Sequence, residues 1–142
     1  MELGPREIAA LLRHRYPFLL VDRIVELDAE RAVGIKNVSV AEPFVPGHFP
    51  DRPVFPGVLL LEAMGQVGGV LLAHAPPFEG VAGGGYLAAL DKVKFKRPVV
   101  PGDQVVIEAV KSAAVKPFAR VRATAHVGGE EVAVGEITYW LA

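Results

Sequence analysis

Residues 57–73 read GVLLLEAMGQVGGVLLA, a nearly unbroken apolar run that decides the fold. Its length and composition predict a helix that is apolar on almost every side, so other elements must cover most of its surface. At 17 residues the run is at the short limit for crossing a membrane, and Glu62 and Gln66 lie in its middle. We therefore expect the buried central helix of a water-soluble domain and no membrane span.

The sequence on both sides of this helix alternates between apolar and polar residues and predicts six strands, mostly in hairpin order. Gly128-Gly129 is a two-residue hairpin signal between the last two of them. The economical arrangement is a curved antiparallel sheet wrapped around the one long helix, so we expect an α+β fold in a single domain, residues 1–142. The strands are predicted at residues 18–27, 32–40, 86–97, 104–113, 118–127 and 131–141.

Composition narrows the possible functions. The chain has 142 residues, with 15 Lys and Arg against 16 Asp and Glu, which argues against a general nucleic-acid binder. Cysteine is absent, so disulfides, thiolate metal sites and a cysteine nucleophile are excluded. His14, His74 and His126 are isolated from one another, and we expect no metal site. The N-terminus lacks the order of a signal peptide, so we expect a cytoplasmic protein.

The residues best suited to chemistry are His48 and Glu62. His48 lies in a loop with prolines at 43, 46, 50, 53 and 56, which is stiff enough to aim an imidazole. Glu62 is the sole carboxylate of the apolar helix and shares a helix face with Gln66. We expect burial to raise the pKa of Glu62 toward neutrality and to keep the side chain protonated. Gly57 opens the helix with bare N–H groups, which suit a carbonyl oxygen that gains negative charge.

A base, an acid and an oxyanion donor within 15 residues indicate an enolate-forming site. Structural alternatives remain for each residue. Glu62 could be only a subunit contact, and His48 could be only a solvated loop residue.

Three segments resemble a known family: HRYPFLLVDRI at 14–24, PFVPGHFPDRPVFPGVLLLEAMGQ at 43–66 and FKRPVVPGDQ at 95–104. They resemble the 3-hydroxyacyl-[acyl-carrier-protein] dehydratases of type II fatty-acid synthesis, nearly end to end and in the same order. The resemblance implies a hot-dog fold and a homodimer with active sites shared between the subunits, commonly assembled as a trimer of dimers (a hexamer).

The resemblance also assigns roles to the candidate residues. It implies that His48 is the catalytic base, that Glu62 is the catalytic acid, and that the Gly57 N–H holds the thioester carbonyl. The reaction would convert a (3R)-3-hydroxyacyl chain, carried on the phosphopantetheine of acyl carrier protein, to the trans-2-enoyl thioester, with no metal or redox cofactor. Glutamate rather than aspartate at position 62 favours dehydration without isomerisation.

Two further sets of residues are candidates for binding. Phe55, Tyr86 and Met64 are candidate walls of a tunnel for the acyl chain, although a plain core role is an alternative. Basic residues could dock the acidic carrier protein, although most charge rows are merely solvated faces. The docking candidates are Lys94, Lys96, Arg97, Lys116, Arg120 and Arg122.

Two rival functions remain open because a fold does not by itself fix an activity. A hot-dog thioesterase would hydrolyse the same class of thioester with a carboxylate and water. A non-catalytic acyl-binding or assembly domain would use Glu62 only as an interface residue. His48 in its GHFP setting favours the dehydratase.

Overall fold

The computed structural model describes residues 1–80 and 85–141. Within these ranges the chain forms two α-helices, one turn of 3₁₀-helix at Val45–Gly47 and six β-strands. The helices are α1 (Pro5–Leu11) and α2 (Gly57–His74). The strands are β1 (Arg23–Leu27), β2 (Arg31–Asn37), β3 (Tyr86–Phe95), β4 (Gln104–Val115), β5 (Phe118–Val127) and β6 (Glu130–Trp140).

The strands that the structure describes form one antiparallel sheet in the order β1-β2-β4-β5-β6-β3. The β5–β6 connection is the predicted two-residue hairpin: Gly128 and Gly129 have φ of 58° and 82°, a conformation that favours glycine at both positions. The predicted β5–β6 hairpin is therefore confirmed, whereas β3 pairs with β6 rather than with β4, the next strand in the chain.

Helix α2 is the centre of the core. Its residues from Ala63 to Ala73 are buried, and it packs against β2, β4, β5 and β6. The buried Tyr139 hydroxyl of β6 donates a hydrogen bond of 2.6 Å to the Gly65 carbonyl, which ties the middle of the helix to the sheet. By length and composition α2 could cross a membrane, but 61% of it is buried inside the domain, which accounts for its apolar composition. The predicted α+β arrangement of helix and sheet is confirmed.

The start of the first strand was predicted wrongly. β1 begins at Arg23 rather than at residue 18, because residues 18–20 bond to helix α2 instead of to the sheet. The Gln66 side chain accepts a hydrogen bond from the Leu20 N–H and donates one to the Phe18 carbonyl. A side chain of the helix thus takes the place of a neighbouring strand.

Strand β3 lies at one edge of the sheet and is unusually exposed. Nine of its ten residues are exposed, and four of these are large and apolar: Tyr86, Leu87, Leu90 and Phe95. A long exposed edge strand with apolar side chains normally pairs with another chain or is covered. No other element covers this edge among the described residues.

Candidate active site

The loop that carries His48 fixes the orientation of the imidazole. His48 follows the 3₁₀ turn, and its carbonyl accepts a hydrogen bond of 2.9 Å from the Val54 N–H. Its Nδ1 lies 2.8 Å from the Val54 carbonyl oxygen. A carbonyl can only accept, so Nδ1 carries the hydrogen and Nε2 of the neutral ring is the basic nitrogen.

A buried ion pair fastens the beginning of this loop to the sheet. Lys36 on β2 donates a hydrogen bond of 2.6 Å to Glu42, and the two side chains are only 7% and 12% exposed. The Lys36 ammonium also lies 5.7 Å from the centre of the Phe55 ring, near the other end of the loop. Phe55 in turn donates a backbone hydrogen bond to Val99. Both ends of the loop are therefore anchored to the core.

Gly57 lies at the first position of α2, as predicted, and its neighbourhood is open. The Gly57 and Val58 N–H groups have no acceptor among the described residues. A cavity of about 420 Å³ lies beside them and is bounded in part by Val54, Phe95 and Arg97. A Cβ at position 57 would lie 3.3 Å from the Phe95 ring, so glycine permits this close approach. The free N–H groups can stabilise negative charge on an oxygen that enters the cavity.

Glu62 is held by two donors that reach the same oxygen. Gln66 Nε2 donates to Oε2 at 2.9 Å, and His14 Nε2 lies 3.2 Å from that oxygen. Gln66 is 1% exposed and is itself fixed by the backbone of residues 18–20. The predicted shared face of Glu62 and Gln66 is confirmed by their contact.

The expectation that burial would dominate the pKa of Glu62 is wrong. Burial raises the pKa, but hydrogen bonds from His14 and Gln66 and the electrostatic interaction with His14 lower it, and the pKa is below its ordinary value of 4.5. Hydrophobic neighbours in the sequence indicated burial. They gave no sign of the two donors that stabilise the carboxylate.

His48 and Glu62 do not contact each other among the described residues of one chain. Glu62 lies five residues beyond Gly57, which corresponds to about 140° around the helix. Gly57 faces the cavity beside Val54, whose carbonyl binds His48, whereas Glu62 faces His14. Gly57 and Glu62 therefore lie on different faces of α2.

The three candidate tunnel residues have different environments. Phe55 is 2% exposed and borders the cavity beside Gly57. Met64 is fully buried in the core, whereas Tyr86 is 66% exposed and packs near Trp140 with ring centres 5.9 Å apart. Their role in a tunnel stays a prediction.

A second, apolar pocket of about 230 Å³ lies on the side of α2 that carries Glu62. Sequence reasoning did not identify it, because its walls come from the HRYPF segment, the proline-rich loop and the helix. The residues that line it are Pro17, Phe18, Leu20, Pro43, Phe44 and Leu59.

Several of the candidate docking residues already have acidic partners. Lys96 pairs with Glu131, and Arg97 pairs with Glu130 at 3.0 Å and lies 3.7 Å from Asp103. Arg122 lies 4.0 Å from Glu136, and Arg120 donates to the Thr138 hydroxyl at 3.4 Å. Lys94 and Lys116 form no ion pair within the described ranges. Lys96 and Arg97 also border the cavity beside Gly57.

Residue His14 was missed as a candidate, because its contact with Glu62 spans 48 positions in the chain and no local pattern encodes it. Gln66 could be found from its spacing of four residues from Glu62. In the part of the chain that the structure describes, no group of three or more His, Asp or Glu residues could hold a metal ion.

Comparison with known proteins agrees with the resemblance of the sequence motifs. The family model described as the FabA-like domain matches residues 12–136. The 3-hydroxyacyl-[acyl-carrier-protein] dehydratase FabZ of Syntrophomonas wolfei is 48% identical over 142 residues, which cover 99% of this chain and 97% of that protein. The chain belongs to the FabZ family. The FabZ of Caldanaerobacter subterraneus is 45% identical to this FabZ-family chain over 138 residues, 96% of each.

Solved structures confirm the hot-dog fold of this FabZ-family chain. A chain of the dehydratase heterocomplex ApeI:P from Xenorhabdus doucetiae matches with a TM-score of 0.80 at 18% identity, covering 95% of this chain and 91% of that one. Thioesterase superfamily member 2 from Mus musculus matches with a TM-score of 0.65 at 16% identity, covering 84% and 80%. Dehydratases and thioesterases share this fold, so residues of the site must distinguish the two activities.

Proposed function

We propose that this chain dehydrates (3R)-3-hydroxyacyl thioesters of acyl carrier protein to trans-2-enoyl thioesters, without isomerisation, in the type II fatty-acid elongation cycle. The observation that carries the proposal is the orientation of His48, whose Nδ1 is bonded to Val54 so that Nε2 is free to accept a proton. The whole-length similarity to FabZ dehydratases supplies the reaction class.

In the proposed elimination, His48 Nε2 removes the proton from C2, which is acidified by the adjacent thioester carbonyl. The bond between C3 and its hydroxyl breaks, and the hydroxyl leaves as water with a proton from Glu62. The Gly57 N–H donates to the carbonyl oxygen while negative charge develops there. The electrons of the C2–H bond form the double bond, so the reaction needs no redox cofactor, and we propose that none is bound.

The low pKa of Glu62 sets a condition for the acid role. The donors that lower this pKa belong to the same chain, whereas desolvation, which raises it, increases when a second subunit and a substrate cover the site. We therefore expect Glu62 to become a competent acid in the assembled, occupied site.

Two features of one chain support a homodimer with shared sites. His48 and Glu62 make no contact with each other among the described residues of one chain, so a second copy that brings them together would complete the site. The exposed apolar edge strand β3 provides the surface on which that copy can extend the sheet. We propose that residues 1–142 form one domain, that two such domains make the active unit, and that three dimers form a hexamer.

Acyl carrier protein is the proposed partner, and the cytoplasm the proposed location. Lys96 and Arg97 border the cavity beside Gly57, where a carrier-bound thioester would enter. The apolar pocket on the Glu62 side of α2 is suited to an acyl chain.

The direct test uses Glu62→Gln and His48→Gln with a carrier-linked 3-hydroxyacyl substrate and measures the conjugated enoyl product. Each variant should lose about 10²–10⁴-fold in turnover while remaining folded. Glu26→Gln, which changes an exposed glutamate in a surface ion pair, is the matched control and should be unaffected. Normal turnover in either active-site variant contradicts its assigned role, and release of free thiol by the wild type would favour the thioesterase.

A further inference from the structure

The residue that contacts Glu62 from outside its helix is His14, the first residue of the HRYPF segment. We propose that His14 is a positioning residue for Glu62: it holds one carboxylate oxygen and thereby directs the other toward the substrate. This inference rests on the proposed function, because it presumes that Glu62 acts on the leaving hydroxyl.

The contacts of the carboxylate are one-sided. His14 Nε2 and Gln66 Nε2 both lie against Oε2, at 3.2 Å and 2.9 Å. Oε1 receives no hydrogen bond from any described residue. Two donors on a single oxygen fix the plane of the carboxylate and leave Oε1 as the oxygen available for a ligand.

The backbone that carries His14 is itself secured. The Arg15 guanidinium donates to the carbonyls of His14, Leu12 and Ala9 at 2.7, 2.9 and 3.0 Å. These bonds join the residues after α1 to the end of that helix. The imidazole therefore approaches Glu62 from a fixed backbone rather than from a free loop.

The hydrogen-bond state of His14 fits a donor role. Its Nδ1 is buried and has no partner among the described residues. When the hydrogen is on Nε2, the ring donates to Oε2 and Nδ1 carries only a lone pair. Every buried N–H of the ring then has an acceptor. The opposite tautomer would leave the buried Nδ1–H without an acceptor, and the lone pair of Nε2 would face a lone pair of Glu62 Oε2.

The surroundings of Glu62 define what a pH profile would report. The titratable groups that face it among the described residues are His14, from the segment after α1, and Tyr139, from β6. Burial and, to a lesser degree, the charge of Glu62 raise the pKa of Tyr139, so this phenol remains neutral over the working range. The contact with His14 lowers the pKa of Glu62, so losing it should raise that pKa.

The experiment compares His14→Phe, which removes the donor, with His14→Gln, whose amide nitrogen can replace Nε2. We expect His14→Phe to lower kcat about 10- to 100-fold with little change in KM, because the carboxyl group loses the contact that directs Oε1 toward the substrate. His14→Gln should restore most of kcat. The limb of the pH profile that Glu62 governs should move to higher pH in His14→Phe. Thermal unfolding checks that each variant is folded.

A double-mutant cycle with Glu62→Gln separates this inference from the proposed function. If His14 acts through Glu62, His14→Phe should cause no further loss in the Glu62→Gln background. Full additivity, an unchanged kcat in His14→Phe, or an effect confined to KM overturns the role of His14. Normal activity of Glu62→Gln overturns the role of Glu62 and this inference together.

Two further variants complete the experiment. His126→Phe changes a half-buried histidine on β5 that has no contact with Glu62, and it should retain wild-type kcat. If phenylalanine at position 14 prevents folding, His14→Asn provides the same test, since its shorter amide does not reach Oε2. Asparagine as active as glutamine at this position would also overturn the proposal.

Discussion

Replacing Gln66 with methionine tests whether one buried amide organises both the core and the active site. Methionine is similar in size and fits the apolar surroundings, so the change removes hydrogen bonds with little loss of volume. Three bonds disappear: those with the Leu20 N–H at 2.9 Å, the Phe18 carbonyl at 2.6 Å and Glu62 Oε2 at 2.9 Å.

The expected loss in free energy of unfolding follows from the hydrogen bonds that the partners of Gln66 lose. The Leu20 N–H is buried and loses its acceptor, which costs about 1–3 kcal/mol. Glu62 loses a hydrogen bond to its charge, worth about 1.5–3 kcal/mol, at a side chain that is 22% exposed and so partly compensated by water. We expect a total loss of about 3–5 kcal/mol, a large fraction of the stability of an ordinary domain.

Urea unfolding at fixed protein concentration measures this loss, and the midpoint should fall by roughly 1–3 M. Gln104→Met is the control, because the Gln104 amide bonds to Asn37 at the exposed surface and should contribute less than about 0.5 kcal/mol. A Gln66→Met protein with wild-type stability would refute the reasoning, since buried polar partners would then tolerate the loss without cost.

Three other outcomes follow from the structure. The pKa of Glu62 is lower in the folded chain than its ordinary value of 4.5, so the stability that the carboxylate contributes is present above that value and is lost as the pH falls through the lowered pKa. Urea unfolding at several pH values should show that the difference in free energy of unfolding between wild type and Glu62→Gln disappears in acid. A difference that does not change with pH contradicts this. Lys36→Met leaves the Glu42 carboxylate, which is only 12% exposed, without its partner and should cost about 3 kcal/mol of stability. A Lys36→Met, Glu42→Leu double variant should recover most of that loss, and a double variant no more stable than Lys36→Met contradicts the pairing argument. Charge reversal at Lys96 and Arg97 should raise KM for carrier-bound substrate, less so in high salt, and an unchanged KM would exclude these residues from docking.

Local patterns were sufficient for the helix, the hairpin and the loop. The apolar run at 57–73, the Gly128-Gly129 pair and the spaced prolines around His48 each act over a few residues, where sterics and periodicity decide the conformation. The same patterns identified His48, Gly57 and Glu62 as candidates. Residues 18–20 are predicted as strand because they belong to an apolar run, but the Gln66 amide binds the backbone of Phe18 and Leu20 instead.

The sequence by itself determined which groups this protein has for chemistry: a histidine on a stiff loop, a helix that begins at a glycine, and one carboxylate in an apolar helix. Only the tertiary structure decided the state of those groups. The pKa of Glu62 depends on His14, 48 residues away, and the basic nitrogen of His48 is set by the Val54 carbonyl. Protonation and orientation depend on distances of about 3 Å between atoms, and folding sets those distances between residues far apart in the chain.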